Sequence, residues 1–347
     1  MKGCVIVLDH LNDRRAAARM VDGVLDDFIL DPGDTDPPLP GAIFRAIVDR
    51  PVKGQGGAFV KLGGVQGFLR GGAGRRPGQS LLVQVSGVAE PGKAIPVTDR
   101  VLFKSRYVIV SPGAPGLNIA RSIRDEETRA RLRILAEDLA PEAKTGMILR
   151  SAAADASDED LSEDISETLA LADAISAESK GEAADLLLDA PDAHHLAWRD
   201  WGDPTPAEIV TRPGGFEDLG VLDALADLAE PDAPLPGGGS LVVEPTRALI
   251  AVDVNTGADT SPAAGMKANI AAARALPRQL RLRGLGGQIT VDFAPMPKKD
   301  RKALEQALRT AFRQDATETS LVGWTPLGHY ELQRKRDRIP LRRRDLP

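Results

Sequence analysis

Residues 249–257 read LIAVDVNTG, and residues 287–296 read GQITVDFAPM. Each is a short run rich in Val, Ile and Leu that leads to an aspartate, Asp253 in the first and Asp292 in the second. Because the apolar residues are continuous rather than alternating, each run predicts a strand that is buried on both faces. A carboxylate at the end of such a strand needs a partner, since an unpaired buried charge is costly.

Two kinds of partner fit these aspartates. A hydrated Mg²⁺ ion is commonly held by one or two carboxylates, and two strand ends are a usual way for a protein to present them. The alternative is purely structural, with Asp253 capping the turn through VNTG and Asp292 pairing with a nearby arginine. The spacing of the two aspartates alone leaves both interpretations open.

The sequence around the two aspartates resembles the catalytic region of the ribonuclease E/G family. The resemblance spans residues 235–338, and its signatures follow one another in the family's order. These signatures are Gly238-Gly239-Ser240, Asp253-Val254-Asn255, RQLRLR at 278–283, Gly286-Gly287, Asp292-Phe293 and ELQRKR at 331–336.

The resemblance implies that Asp253 and Asp292 bind a catalytic Mg²⁺, with Mn²⁺ as a substitute ion, and that Asn255 lies close to the scissile phosphate. A metal ion held in this way activates water for in-line attack and stabilises charge on the phosphate oxygens. The expected protein is a Mg²⁺-dependent endoribonuclease that hydrolyses single-stranded RNA in processing or decay and leaves 5′-phosphate ends. The alternative is a non-catalytic RNA-binding regulator of the same family, and the presence of all three residues favours the enzyme.

The fold class that the resemblance implies is a multidomain α+β and α/β protein. An RNase-H-like subdomain is interrupted by an S1-type OB barrel and a sensor-like region, and a DNase-I-like α/β catalytic subdomain follows. The expected boundaries are 1–38 and 191–232 for the two parts of the RNase-H-like subdomain, 39–111 for the barrel, 112–190 for the sensor-like region and 233–347 for the catalytic subdomain.

Five strand candidates separated by Gly- and Pro-rich turns predict the barrel. They lie at 41–52, 57–63, 65–71, 80–88 and 100–110. Such barrels bind single strands by stacking bases on aromatic side chains over a basic groove. By resemblance, Phe59 and Phe68 are the stacking residues and Lys93 contacts a phosphate. Without the family context, a phenylalanine in a strand is more often a core residue.

The middle of the chain matches the family least well. Arg150-Ser151 stands where the family grips a 5′-monophosphate with an Arg-Thr pair, and guanidinium plus hydroxyl keeps the required donors. Relatives carry arginines after the equivalent of Arg313-Gln314-Asp315, but residues 316–319 here read ATET. Sensing of the 5′ end is therefore expected to be weakened or lost. Residues 157–175 predict an acidic amphipathic helix capped by Ser157, with the apolar positions Leu161, Ile165, Leu169, Leu171 and Ile175.

A further helix precedes the second aspartate run. Arg274, Arg278 and Arg281 follow i, i+4 and i+7 spacing on it and predict one basic stripe. An ordinary solvated helix face is the alternative, and the position beside the two aspartates favours contact with the RNA backbone. The four histidines are scattered and show no metal-binding spacing, so no role follows for them.

Charge and composition fit an RNA-binding protein. The net charge is −6, but residues 1–150 carry +5, residues 151–239 carry −19 and residues 240–347 carry +8, so RNA should meet the two ends. With a single cysteine, Cys4, we expect no internal disulfide, no cysteine-rich zinc site and no zinc-linked tetramer of the kind that longer relatives form, whereas a metal-free homodimer stays open. No apolar run approaches the roughly 18 residues of a membrane span, and the start of the chain lacks a signal-peptide core. A cytoplasmic protein that binds no membrane is expected.

Overall fold

The computed structural model describes residues 3–33, 37–52, 54, 56–140, 145–202, 205–261 and 263–347. The chain forms two compact units. One consists of Met1–Leu30 and Ile209–Pro347, and the other of Asp31–Glu208. We call them the split unit and the inserted unit, because the second lies within the sequence of the first.

The described part of the chain contains strands, α-helices and short 3₁₀ turns. The strands are β1 (Cys4–Leu11), β2 (Arg14–Val21), β3 (Val24–Leu30), β4 (Ile43–Val52), β5 (Gly57–Lys61), β6 (Gln66–Arg70), β7 (Ser80–Val85), β8 (Ile95–Thr98), β9 (Phe103–Lys104), β10 (Val108–Pro112), β11 (Gly116–Ile119), β12 (Thr145–Leu149), β13 (Asp185–Leu188), β14 (Glu208–Val210), β15 (Asp232–Pro234), β16 (Ser240–Pro245), β17 (Ile250–Asn255), β18 (Gly287–Asp292), β19 (Thr319–Trp324) and β20 (Tyr330–Arg334). The α-helices are α1 (Glu126–Leu139), α2 (Asp158–Ala177), α3 (Ala193–Asp200), α4 (Gly215–Asp218), α5 (Val221–Asp227), α6 (Ala264–Leu282) and α7 (Arg301–Gln314). The 3₁₀ turns are Gly72–Gly74, Ser151–Ala154, Lys298–Asp300 and Arg343–Asp345.

A six-stranded mixed sheet dominates the split unit. Its strand order is β15-β16-β17-β18-β20-β19, and β17 and β18, the two runs that carry the aspartates, pair in parallel. The apolar faces of α6 and α7 pack against the sheet, with Leu276, Leu280, Leu304 and Leu308 buried in one core. Such a parallel pair needs a crossover, and α6 supplies it.

The prediction that β17 and β18 are buried on both faces is wrong. Burial alternates along each strand, so that Val252, Val254 and Val291 enter the core while Asp253 and Asp292 are exposed. Alternation of this kind is typical of a sheet with one covered and one solvated face. The aspartates therefore need no buried partner, and the charge-burial argument for a metal ion does not apply to them.

A second, four-stranded sheet completes the split unit, with the order β14-β1-β2-β3. Its core includes Val7, Ala18 and Phe28, and Phe216 and Leu225 of the short helices α4 and α5 pack against it. The family resemblance gives residues 1–38 and 191–232 to one subdomain. In the structure β14, which falls in the second range, pairs with β1.

The inserted unit contains a closed five-stranded barrel, as expected for an inserted OB-type barrel. The strands follow the order β4-β5-β6-β8-β7, and pairing of β4 with β7 closes the ring. The prediction of a fifth barrel strand at 100–110 is wrong. The fifth strand is β8, Ile95–Thr98, whereas β9 and β10 belong to a separate sheet of order β11-β12-β10-β9. Pro91 and Pro96 break the strand pattern around β8, which hides so short a strand in the sequence.

Helices α1 and α2 share a hydrophobic core with that separate sheet. The acidic helix is confirmed as α2, and the hydroxyl of its N-cap, Ser157, accepts a hydrogen bond from the Asp160 backbone N–H. Leu161, Ile165 and Ile175 are buried as predicted, but Leu171 is 40% exposed, so its assignment to the buried face is wrong. Among the described residues, we find no helix with the length and apolarity needed to cross a membrane.

Candidate active site

The two aspartates lie side by side on the open face of the six-stranded sheet. In the parallel register of β17 and β18, Asp253 is the direct partner of Asp292. Neighbouring strands lie about 4.8 Å apart, and directly paired residues point to the same face. The structure therefore brings together the two carboxylates that the sequence singles out.

Little in the described part of the chain neutralises these carboxylates. No lysine or arginine there forms an ion pair with Asp253 or Asp292, so the structural alternative of an Asp292–arginine pair is wrong. Among the described residues, a histidine does approach them: His329 Nε2 lies 3.9 Å from Asp292 Oδ2. The Asp292 side chain keeps 64% of its surface exposed. Two adjacent, solvent-exposed carboxylates form an oxygen-rich, negatively charged spot.

Asn255 belongs to the same constellation. It lies two residues beyond Asp253 on β17, so its side chain is on the same face, and its Nδ2 donates a 2.8 Å hydrogen bond to Asp253 Oδ2. The nearby backbone is crowded, because a Cβ at Gly239 would lie 2.5 Å from the Asn255 carbonyl oxygen. Glycine at 239 allows the GGGS loop to approach the end of β17. The Gly238-Gly239-Ser240 and Asp253-Val254-Asn255 signatures therefore lie side by side, with Ser240 paired to Asn255.

Asn269 on α6 fixes the segment that follows Asp292. This asparagine is fully buried, its Nδ2 donates to the Ala294 carbonyl oxygen at 2.8 Å, and its Oδ1 accepts from the Ala294 N–H at 2.9 Å. Both backbone groups of a residue two positions after Asp292 are therefore satisfied by one side chain. Asn269 ties the carboxyl end of β18 to the helix beneath the sheet.

The predicted basic stripe on α6 divides into two parts. Arg274 is exposed and Arg278 half-buried, and both line a cleft of about 910 Å³ with Lys267, Ile270 and other residues of the split unit. Arg281 is only 8% exposed. Its placement on a solvent-facing stripe is wrong, because its guanidinium pairs with Asp315 and also with Asp26 at 3.1 Å.

Arg281 is part of a buried charge network. Asp315 pairs with both Arg281 and Arg334, and Asp27 pairs with Arg338 and with Arg281 Nε at 3.5 Å. Asp27 and Asp315 are each 1% exposed. Burial opposes ionisation of Asp27, but the charge and hydrogen bonds of Arg338, with the charge of Arg281, outweigh it and lower the pKa of that carboxyl.

Phe59 and Phe68 lie outside the barrel core. They are direct partners on β5 and β6, half-buried, with ring centroids 5.6 Å apart and an edge-to-face tilt of 68°. The core is instead filled by their strand neighbours, including Ala58, Val60 and Leu69. The interpretation of the two phenylalanines as core residues is therefore wrong, and their rings form an aromatic patch on the outer barrel surface.

Lys93 lies in the turn between β7 and β8. Its side chain is 66% exposed, and its Nζ pairs with Glu90 Oε2 at 2.7 Å. An exposed pair of this kind contributes little and opens readily. The structure thus leaves Lys93 at the surface without adding support for a specific phosphate contact.

The sensor-like segment is internally satisfied. Arg150 Nη2 donates to Asp200 Oδ1 at 2.8 Å, and its Nη1 donates to the carbonyl oxygens of Ser105 and Arg199. Burial opposes ionisation of Asp200, but hydrogen bonds and charge from Arg199 and Arg150 outweigh it and lower its pKa. Ser151 follows as the first residue of a 3₁₀ turn. A phosphate would have to displace Asp200 to reach the Arg150 guanidinium.

Comparison with known proteins identifies the family of this chain. The family model described as "Ribonuclease E/G family" matches residues 103–214 and 211–337. The chain belongs to the ribonuclease E/G family. It is 28% identical to ribonuclease E of Synechocystis over 85% of this chain and 52% of that protein. It is 30% identical to ribonuclease E of Nostoc over 75% of this chain and 43% of that protein, and 31% identical to ribonuclease G of Salmonella typhimurium over 76% and 61%.

This ribonuclease E/G family chain spans about half the length of the ribonuclease E proteins that it matches. Within its described residues, no group of three or more His, Cys, Asp or Glu side chains is arranged to hold a metal ion. Any ion at the Asp253–Asp292 pair would thus draw no more than two ligands from such side chains.

Several residues near these sites in this family member were not predicted from the sequence. Arg50 is the direct partner of Phe59, with its guanidinium carbon 5.3 Å from the ring centroid, and Lys61 and Arg70 follow on the same barrel face at period two. That alternation of basic and aromatic residues was a readable signal. Asn269 was readable as a polar residue in an apolar helical stretch, whereas the approach of His329 to Asp292 depends on strand register alone.

Proposed function

We propose that this chain is a Mg²⁺-dependent endoribonuclease that hydrolyses single-stranded RNA internally, in RNA processing or decay, and leaves 5′-phosphate ends. The observation that carries the proposal is the pairing of Asp253 with Asp292 on the open face of the sheet. The family relationship supports RNA as the substrate. In this proposal the β1–β3 sheet corresponds to the RNase-H-like subdomain of relatives, and the six-stranded sheet to the DNase-I-like one.

The donor set suits a magnesium ion. Mg²⁺ prefers oxygen ligands, dehydrates reluctantly and is usually bound through one or two carboxylates. Asp253 and Asp292 supply two such groups, and no described lysine or arginine forms an ion pair with either; the basic side chain near them is His329. These residues would hold the ion, which when bound supplies Lewis-acid chemistry to the phosphodiester.

The chain's own residues have separate tasks. The amide of Asn255 orients the Asp253 carboxylate through its hydrogen bond and can donate its second N–H to a phosphate oxygen. Asn269 holds the backbone after Asp292 and so fixes the second carboxylate. Preorganised groups of this kind lower the barrier because they need no rearrangement during the reaction.

RNA binding is assigned to the barrel and to α6. On the barrel, Phe59 and Phe68 offer faces for base stacking, and Arg50, Lys61 and Arg70 offer charges for the backbone. Lys93 adds an exposed charge, and Arg274 and Arg278 contribute on α6. Arg281 is left out of this set because it is buried and ion-paired. Recognition of a 5′-phosphate by Arg150 and Ser151 is weak in this proposal, because Asp200 occupies the guanidinium.

The proposal is tested by cleavage of an AU-rich single-stranded RNA with Mg²⁺ or Mn²⁺. The wild type is compared with Asp253→Asn and Asp292→Asn, and with Glu244→Gln, which changes another exposed carboxylate on the same sheet. We expect internal cleavage with 5′-phosphate products by the wild type and Glu244→Gln only. If all four proteins bind RNA and none cuts it, the chain is instead the non-catalytic RNA-binding regulator. A homodimer without a zinc link stays a prediction that sedimentation would test.

A further inference from the structure

Trp198 is unusual for a tryptophan in the inserted unit. It lies on α3 and is 48% exposed, whereas Trp201, three residues later, is 3% exposed and anchors the end of the helix. Tryptophan is usually well buried because it offers a large apolar surface. Trp201 is the tryptophan that packs the end of α3 into the core. Packing in the core therefore does not explain why a tryptophan stands at position 198.

Arg106 supports this ring from one side. Its guanidinium carbon lies 4.0 Å from the centroid of the Trp198 ring, and its Nη1 donates to the Trp198 carbonyl oxygen. Gly202 makes this arrangement possible, because a Cβ there would come within 3.1 Å of Arg106 Nη2. The result is a flat surface with a guanidinium under an aromatic ring.

The guanidinium of Arg106 carries a positive charge that no described carboxylate neutralises. In the described part of the chain no carboxylate forms an ion pair with it, and its buried Nε has no hydrogen-bond partner. Arg150, by contrast, is paired with Asp200, the last residue of α3. The groups of this region that are available to a ligand are thus the exposed ring of Trp198 and the charge of Arg106 beneath it. They do not form a pocket for a terminal phosphate.

We propose that the surface formed by Trp198 and Arg106, the Trp198 shelf, stacks an unpaired nucleobase of the RNA substrate. This inference rests on the proposed function, because it takes single-stranded RNA as the ligand. Every base has a π-face, and proteins stack unpaired bases on aromatic rings and on arginine planes. A positive charge favours the partner because RNA is an anion. Since Arg150 is occupied, binding at the Trp198 shelf does not depend on the phosphorylation of the 5′ end.

The test is RNA binding measured by fluorescence anisotropy in EDTA, so that cleavage does not interfere. The ligands are one short AU-rich RNA with a 5′-monophosphate, the same RNA with a 5′-hydroxyl, and a strand of equal length with abasic positions. The proteins are the wild type, Trp198→Ala, Trp198→Phe and Ile134→Ala. Ile134 is a matched control, being an apolar residue of the inserted unit that is 61% exposed.

We expect Trp198→Ala to weaken binding about fivefold or more, equally for both 5′ ends, because a stacked base is worth at least that much. Trp198→Phe should retain most of the affinity, Ile134→Ala all of it, and the abasic strand should not distinguish Trp198→Ala from the wild type. Equal binding by Trp198→Ala and Ile134→Ala overturns the proposal. So does a loss confined to the 5′-monophosphate RNA, or one that persists with the abasic strand.

Two controls keep this outcome separate from others. If Trp198→Ala melts early, Trp198→Phe and the abasic strand decide the question, because a folding defect would not depend on the presence of bases. If the wild type fails to cleave RNA with Mg²⁺ but the Trp198 shelf effect is present, the proposed catalytic function fails while the binding site stands.

Discussion

Two groups of carboxylates in the split unit differ in how the fold treats them. Asp27 and Asp315 are 1% exposed and are surrounded by arginines, whereas Asp253 and Asp292 are exposed and have no lysine or arginine partner among the described residues. Burying a charge requires a nearby counter-charge, and an exposed charge is stabilised by water. The first group is therefore committed to structure, and the second is available to a ligand.

The same distinction applies to basic and aromatic residues. The sequence predicts Arg281 in a basic stripe that contacts RNA and Arg150 in a phosphate-sensing pair, yet both pair with aspartates. Phe59, Phe68 and Trp198 are aromatic residues that the cores leave partly exposed. Side chains that are buried and paired within the fold should control stability. Side chains that stay exposed should control binding and cleavage.

The largest effect on stability is expected at Asp315. Asp315→Asn removes the aspartate that pairs with the buried Arg334 guanidinium and one of the three aspartates around Arg281. Breaking a buried pair in this way costs about 3–5 kcal/mol. Urea unfolding of the variant, with Glu244→Gln as an exposed control, measures the loss. A loss below about 1 kcal/mol, typical of exposed pairs, would mean that the network is not committed to structure.

Asn269 connects the two classes, because it is buried and satisfied but fixes an exposed carboxylate. Asn269→Ala removes both hydrogen bonds to Ala294, and leaving buried groups unsatisfied costs about 1–3 kcal/mol. Cleavage should also fall about 10–100-fold, as for other residues that orient metal ligands. Full activity in a destabilised variant would limit Asn269 to a structural role.

Phe59 is an aromatic residue that lies outside the barrel core and is partly exposed. Phe59→Ala should weaken RNA binding by about 1–3 kcal/mol while leaving the melting temperature nearly unchanged, since Phe59 stacks outside the barrel core. Val65→Ala, a change at a 42% exposed apolar residue of the neighbouring turn, is the control. Loss of stability without loss of RNA affinity would return Phe59 to the class of structural residues.

Acidification should lower the stability of the protein through the buried carboxylate of Asp27. The pKa of Asp27 is lower in the folded protein than its unfolded value of about 3.9. Its ionisation therefore stabilises the fold above that unfolded pKa, and this contribution is lost as the pH falls through the folded pKa, with a slope of up to about 1.4 kcal/mol per pH unit. Compared with the wild type, Asp27→Asn should be less stable at neutral pH and should lose less stability on acidification below about pH 4. Parallel stability curves for the two proteins would contradict this.

The smallest effect is expected at the open face. Asp253 and Asp292 are like charges in direct register, and such pairs destabilise a sheet by about 0.2–1 kcal/mol. Asp253→Asn should therefore make the metal-free protein slightly more stable, the opposite sign to Asp315→Asn. Thermal melting in EDTA at low salt, repeated at high salt to screen the charges, checks the sign.

Much of this architecture was readable from local sequence. The apolar runs predicted β17 and β18, and the periodicity and cap of α2 and the turn-rich spacing of the first four barrel strands were also correct. Side-chain exposure was not readable in the same way. Continuous apolar runs concealed the alternating burial of β17 and β18, and Arg281 gave no sign of the acids on β3 and after α7 that bury it. Contacts of that kind join residues far apart in sequence.

We propose that the Asp253–Asp292 pair is the metal-binding centre of catalysis. Its most direct test is a Mn²⁺ titration followed by electron paramagnetic resonance, on the wild type, Asp253→Asn, Asp292→Asn and the open-face control Glu244→Gln, alongside cleavage of the same RNA. We predict that the wild type and Glu244→Gln bind Mn²⁺ and cut RNA, and that each aspartate variant loses both properties while keeping its fold and RNA affinity. Unchanged Mn²⁺ binding, or undiminished cleavage, in either aspartate variant would contradict the claim.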